Sequence, residues 1–158
     1  TTAITGNTIS GNTNQGILIQ GANSDTTVVT GNVIGLGTNN AAVGNSVGIE
    51  VDSTVPAGLT IGGTTKNTIS GNTDRGVLVS ADSTVIKGNV IGLNSTDVAR
   101  PNATGLEINA AKNVVVGGAA GMVHPATGYM VREVLERAPE LGTADLLPGG
   151  PEVQIGLR

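Results

Sequence analysis

The phrase NTISGNTNQGILI at 7–19 returns 60 residues later as NTISGNTDRGVLV at 67–79. GNVIGL at 31–36 returns at 88–93, and VGIEVD at 47–52 returns as TGLEIN at 104–109, both 57 residues on. Self-similarity at such a period marks a chain that stacks one supersecondary unit on the next, which excludes most other folds at once. A smaller unit lies inside the larger one. Each begins at an asparagine (Asn7, Asn32, Asn67, Asn89), continues through an apolar pair, a Gly-apolar-x-apolar strand and a third apolar run. The second strands start at Gly16, Gly48, Gly76 and Gly105, and the third runs are Val28-Val29, Leu59-Thr60-Ile61, Val85-Ile86 and Val114-Val115-Val116.

A strand of three or four residues cannot bury an apolar face alone. Equivalent strands stacked at about 4.8 Å build parallel sheets whose inward residues form continuous aliphatic columns. The expected fold is therefore all-β, a parallel β-helix solenoid of about four coils. Composition agrees. With one tyrosine and no phenylalanine or tryptophan, Val, Ile and Leu must build the interior, and 25 glycines among many Asn, Thr and Ser supply turns rather than helices. The four asparagines in register are expected to form a ladder of stacked amides, each a turn residue as well. On that reading Asn32→Leu is more harmful than a change at an off-register asparagine such as Asn40.

The run from about 4 to 121, with its NTISGN, GNVIGL and IGGTTKNTISGN phrases, resembles the bacterial right-handed parallel β-helix repeat proteins of the pectate-lyase-like superfamily. The resemblance implies a right-handed coil on the outside of a bacterial cell, secreted or at the surface, and a function that ranges from polysaccharide lyase, hydrolase or epimerase to surface protein without activity. Polysaccharide or another surface protein is then the expected partner.

Eight Lys+Arg against twelve Asp+Glu leave a net charge of -4 with no basic cluster to follow a phosphate backbone, so nucleic acid is not an expected partner. No apolar run reaches the 18 or so residues of a membrane span. The absence of cysteine excludes disulfides, thiolate zinc sites and a thiol nucleophile. The chain opens TTAITGN without a methionine, as a fragment or processed form would, and an uncovered first coil makes end-to-end self-association an expectation.

Chemistry on the solenoid is sparse. Coils two and four carry long turns, GTNNAAVGNS at 37–46 and NSTDVARPNAT at 94–104, which emerge from one corner two coils apart. Just after them stand Glu50 with Asp52 and Glu107 with Asn109. Alternation sends Glu50 and Glu107 outward, about 9.6 Å apart at two strand spacings. That separation lies close to the ~6.5–9.5 Å of the acid and base of inverting glycosidases, which makes the pair the catalytic candidate. Leu78 is expected between them with no histidine or arginine stacked nearby, and Lys66, Arg75, Lys87, Arg100 and Lys112 look scattered, with no acid cluster beside any of them. Asp52, Asn109, Asp97 and Arg100 are the binding candidates. No metal site or cofactor is expected. The sequons at Asn94 and Asn102 are chance products of a chain rich in Asn, Ser and Thr.

After Gly118 the composition changes. Met130, Val131, Val134 and Leu135 against Arg132, Glu133, Glu136 and Arg137 predict an amphipathic helix of about 12 residues, limited by Pro139. EVQIGLR at the end reads as a strand. GGAAGMVHPATGYMV at 117–131 is similar to the C-terminal flavin-contacting motif of lycopene cyclases, which implies that Gly121, His124, Pro125, Thr127 and Gly128 form a turn and helix start facing the flavin. Such enzymes also need a nucleotide-binding βαβ unit, and no G-x-G-x-x-G follows a strand here. The stretch therefore reads as a junction between a solenoid at 1–121 and an appended segment at 122–158 that caps the last coil or trails from it. If it is a cap, deleting 122–158 exposes strand edges and causes aggregation. A soluble, equally stable truncation disposes of the cap. Two main functions follow, a non-enzymatic structural or interaction module that contacts a glycan, and a polysaccharide-active enzyme using Glu50 and Glu107. A third is a lycopene cyclase fragment without activity.

Overall fold

The computed structural model of the protein describes residues 1–109 and 111–117. Every regular element among them is a strand. After β1 (Ala3–Thr5), coil one comprises β2 (Thr8–Ile9), β3 (Gln15–Ile19) and β4 (Val28–Thr30). Coil two has β5 (Val33–Ile34), β6 (Val47–Val51) and β7 (Thr60–Gly62); coil three has β8 (Thr68–Ile69), β9 (Arg75–Val79) and β10 (Val85–Lys87). Coil four has β11 (Val90–Ile91), β12 (Thr104–Ile108) and β13 (Val115–Val116). Stacking yields three all-parallel sheets: sheet A in the order β1-β4-β7-β10-β13, sheet B as β2-β5-β8-β11 and sheet C as β3-β6-β9-β12. This is the expected parallel β-solenoid of about four turns. Among the described residues no helix is long and apolar enough to cross a membrane. The predicted helix, the final strand, the flavin-motif residues and the boundary at 121 lie outside the described residues.

Register converts the short apolar runs into a core. Ile4, Val29, Ile61, Ile86 and Val116 are mutual neighbours up sheet A. Ile9, Ile34, Ile69 and Ile91 climb sheet B. Sheet C contributes two columns, Ile17-Ile49-Val77-Leu106 and Ile19-Val51-Val79-Ile108. Each buried aliphatic side chain contributes about 1.5–3 kcal/mol, which no single coil could gather alone. The two inner coils are sealed and the end coils less so, since Ile34, Ile49, Ile61 and Ile69 are wholly buried whereas Ile4, Ile9 and Ile108 remain partly exposed.

The expected asparagine ladder stands at the corner between sheets A and B. Asn7 Nδ2 donates to Asn32 Oδ1 at 3.1 Å, Asn32 Nδ2 to Asn67 Oδ1 at 3.0 Å, and Asn67 Nδ2 to Asn89 Oδ1 at 2.8 Å. The second hydrogen of each amide serves the coil beneath, with Asn32, Asn67 and Asn89 donating to the carbonyls of Ile4, Val29 and Ile61. A second ladder, not anticipated, stands at the corner between sheets B and C. Asn12, Asn45, Asn72 and Asn102 are linked through Nδ2–Oδ1 distances of 2.8, 3.0 and 2.8 Å. Asn102 is the asparagine of one sequon and is buried in this ladder. No buried side-chain nitrogen or oxygen among the described residues lacks a partner, the condition under which a buried polar network stabilises rather than costs.

The second ladder explains the glycine at the second position of each sheet C strand. A Cβ on Gly48 would stand 2.8 Å from Asn72 Nδ2 and 2.5 Å from the Gly76 carbonyl oxygen, and one on Gly76 would meet Asn102 Nδ2 and the Gly105 carbonyl at the same distances. The amide column occupies the space a side chain would need.

The candidate carboxylates and the long-turn corner

The outer face of sheet C carries the column Leu18-Glu50-Leu78-Glu107, so the two carboxylates flank Leu78 as alternation required. Neither is free. Gln15 Nε2 donates to Glu50 Oε2 at 2.6 Å, and Arg75 Nε donates to Glu107 Oε2 at 2.6 Å. These are one interaction repeated. Gln15 and Arg75 hold the same place in coils one and three, and each reaches up to the acid of the next coil. Arg75 also pairs with Asp74. The expectation that no arginine stacks near Glu50 or Glu107 is thereby corrected, because the stacking places β12 directly against β9. The hydrogen bond to Glu107 pushes the Arg75 guanidinium above its ordinary range, partial burial opposes this, and the charges of Glu107, Asp74 and Glu50 add to the rise.

Inverting hydrolysis needs a proton donor and a base that can face one water. Here the donors Gln15 and Arg75 already engage one oxygen of each carboxylate, and the half-buried side chain of Leu78 stands between them. Chemically the arrangement is a cross-coil clamp, of the kind worth about 0–1 kcal/mol at a partly exposed position.

Asp52 and Asn109 share one place in coils two and four. Their backbone N–H groups extend the sheet C ladder, Asp52 to the Ile19 carbonyl at 2.9 Å and Asn109 to the Val79 carbonyl at 2.7 Å. The Asp52 carboxylate accepts from the Thr54 amide at 2.8 Å. The Thr54 side chain first, and its amide second, hold the Asp52 carboxyl below the ordinary aspartate value of 3.8. Its contribution to stability is present above that value and is lost as pH falls through the lowered native one. In an NMR titration the Thr54 amide resonance is expected to move with a midpoint below pH 3.8, and in Asp52→Asn it is expected not to move. A midpoint at or above the ordinary value overturns the assignment.

The long turns are two copies of one hairpin. Gly37 and Ala41 are joined as Asn94 and Val98 are, with left-handed residues at Asn40 (φ 61°) and Asp97 (φ 59°). Asn and Asp tolerate that conformation, which gives Asp97 a backbone reason to be there. Arg100 donates from Nε to the Asn40 carbonyl at 3.2 Å, and Ser95 Oγ to Asn40 Oδ1 at 3.3 Å, so the turn of coil four is braced on that of coil two. Each also covers a tight corner below it, through Gly11 N–H to the Val43 carbonyl and Gly71 N–H to the Arg100 carbonyl, both 2.8 Å. Asn94, the other sequon asparagine, is buried and its Oδ1 accepts from the Thr96 amide, the Thr96 hydroxyl and the Val98 amide. Asn40 is thus an unsuitable control for ladder substitutions, and exposed Asn23 replaces it.

Among the described residues no group of three or more His, Cys, Asp or Glu is placed to hold a metal ion. Sheet C thus brings Glu50 and Glu107 to one face with Gln15 and Arg75, which sequence reasoning missed. Their signal was present: the aligned phrases put Gln15 and Arg75 one residue before the strand glycine, and Glu50 and Glu107 two residues after it in the following coil.

Comparison with known proteins finds similarity only over short segments. Residues 100–146 match the family model of lycopene cyclase protein. A stretch of 28 residues is 68% identical to the lycopene beta cyclase of Synechococcus elongatus, which covers 18% of this chain and 7% of that protein. The chain thus spans a small fraction of that relative's length. No solved structure matches significantly. The part of the matched segment that is described, 100–109 and 111–117, lies in the fourth coil, with β12 and β13 paired to β9 and β10.

Proposed function

We propose that the chain is a non-enzymatic structural module of a bacterial secreted or surface protein, a stiff rod whose outer faces contact a partner such as a glycan. The observation that carries this reading is the engagement of both candidate carboxylates: Glu50 by Gln15 and Glu107 by Arg75. Side chains spent on holding coil to coil are what a scaffold uses. The two amide ladders serve the same end, since each coil is tied to the next at two corners in addition to the sheets.

The test is turnover. The protein and its Glu50→Gln/Glu107→Gln variant are incubated with acidic and neutral polysaccharides, and products are followed by mass spectrometry. No products from either protein is the expected outcome. Turnover that disappears in the variant replaces this reading with that of a polysaccharide-active enzyme. The short likeness to lycopene cyclases supports a flavin role only weakly, and purified protein is expected to show no flavin absorption.

A further inference from the structure

We propose that the solenoid docks sideways on a second copy of itself, the outer face of sheet C of one molecule seating on the outer face of sheet A of the next. The inference goes beyond the scaffold reading, which holds for a solitary rod as well. Charge is divided between the two faces. The described strands of sheets A and B carry one charged residue, Lys87, and no acid, whereas sheet C carries Glu50 and Glu107. Lys87 is exposed and unpaired, both ion pairs of the described residues being at Arg75. Gln15 and Arg75 each engage only Oε2 of their glutamate, so Oε1 of Glu50 and of Glu107 is free to accept.

Shape is divided in the same way. At three of the four corners between sheets A and B a single glycine separates the strand from its ladder asparagine, as in Lys87-Gly88-Asn89, but the corner after β7 runs Gly62-Gly63-Thr64-Thr65-Lys66-Asn67. This insertion lies across its neighbours. A Cβ on Gly31 would stand 3.0 Å from Thr65 Cγ2, and one on Gly88 would stand 2.3 Å from the Gly63 carbonyl oxygen. It walls an open groove of about 560 Å³ lined by Val28, Thr30, Thr60, Thr64, Thr65 and Lys87 together with glycine backbone. Along the groove the outward column reads Thr5, Thr30, Gly62, Lys87, with a gap where Gly62 has no side chain. The outward column of sheet C, Leu18, Glu50, Leu78, Glu107, has side chains throughout.

Both columns advance one residue per coil, about 4.8 Å. Two parallel rods displaced by one coil therefore match rung by rung. Glu107 of the second copy meets Lys87, its Leu78 fills the gap at Gly62 against Val28 and the threonine methyls, its Glu50 meets the Thr30 hydroxyl, which has no partner within the described residues, and its exposed Leu18 meets Thr5. The sheet C face, four strands of five residues, measures roughly 19 by 17 Å. That is below the ~800 Å² per partner of a stable complex, so the association is transient. Because each molecule uses two different faces, the contact is heterologous and can repeat from rod to rod.

Sedimentation equilibrium of the full chain at sub-millimolar concentration is the test, in about 0.1 M salt, where screening over about 10 Å quiets the repulsion between net charges and spares a contact pair. The mass of the parent is expected to rise with concentration. Lys87→Glu is expected to weaken association by about tenfold, as loss of a charge-assisted hydrogen bond implies, whereas Lys112→Glu, the same change of charge at another exposed lysine, leaves it unchanged. Arg75→Glu/Glu107→Lys exchanges the charges of the cross-coil clamp at constant net charge and is expected to weaken association equally. Leu78→Ala, which touches no charge, is expected to weaken it too and serves if a charge exchange unfolds the chain, as circular dichroism melts will show. An equimolar mixture of Lys87→Glu with Arg75→Glu/Glu107→Lys is expected to associate again, because the altered sheet A of one faces the altered sheet C of the other and their unaltered faces also match. A parent that stays monomeric overturns the proposal and leaves the groove to a partner of other chemistry. Association unaffected by the sheet C variants, or a mixture that stays monomeric, overturns the pairing of sheet A with sheet C. Neither result touches the scaffold reading, which the turnover experiment decides.

Discussion

Asn67→Leu is expected to lower the melting temperature by on the order of 20 °C, while Asn23→Leu leaves it almost unchanged. Asn67 is wholly buried at the centre of the first ladder. Its Oδ1 accepts from both the backbone amide and Nδ2 of Asn32, each at 3.0 Å, and its Nδ2 donates to the Val29 carbonyl and to Asn89 Oδ1, each at 2.8 Å. Leucine is of similar size but satisfies none of these groups. Each buried group left without a partner costs about 1–3 kcal/mol, so a loss of roughly 4 kcal/mol is a restrained expectation. The position matters as much as the chemistry. A solenoid is stabilised by interfaces between neighbouring units, and Asn67 belongs to the interfaces below and above it. Asn7→Leu, at the exposed end of the same ladder, should cost much less. Equal shifts for Asn67→Leu and Asn23→Leu would show that the amides are turn residues that happen to stack.

The second large effect is Gly76→Ala, expected to cost about 3 kcal/mol, against a small effect for Gly37→Ala. The added carbon at 76 meets the Gly105 backbone oxygen at 2.5 Å and Asn102 Nδ2 at 2.8 Å. Neither can retreat, because one belongs to the adjacent strand and the other to the second ladder. At Gly37 the nearest atom is Val43 Cγ2 at 3.3 Å, the end of an exposed side chain that can turn aside. Paired thermal melts of the two variants provide the measurement. Native-state hydrogen exchange should show the Gly76→Ala loss concentrated at the interface of coils three and four, as nearest-neighbour coupling requires. A Gly76→Ala protein as stable as the parent would mean that the ladder and its glycine column can shift apart without cost.

The core and the first ladder were legible because they follow from periodicity. Asn7, Asn32, Asn67 and Asn89 each stand two residues before an isoleucine, so their alignment needs no knowledge of turn length. The second ladder was hidden by changing spacing. Asn12 and Asn72 stand four residues before their strand glycines, whereas Asn45 and Asn102 stand three before theirs. The catalytic candidate was half legible. Alternation placed Glu50 and Glu107 outward correctly, but the fate of each carboxylate depended on which side chain of the coil below could reach it.

By itself the sequence determined that this chain stacks, which residues face inward, and that coils come in pairs 57–60 residues long. Those properties depend on periods along the chain, which a repeat makes visible. Only the tertiary structure decided that Arg75 neutralises Glu107, that Arg100 braces one long turn on the other, and that the insertion at 63–66 overhangs a groove beside Lys87. Each of these joins residues of different coils, some 21 to 60 positions apart, through side-chain reach and corner geometry. Register between coils sets such contacts, and the period of a strand does not encode them.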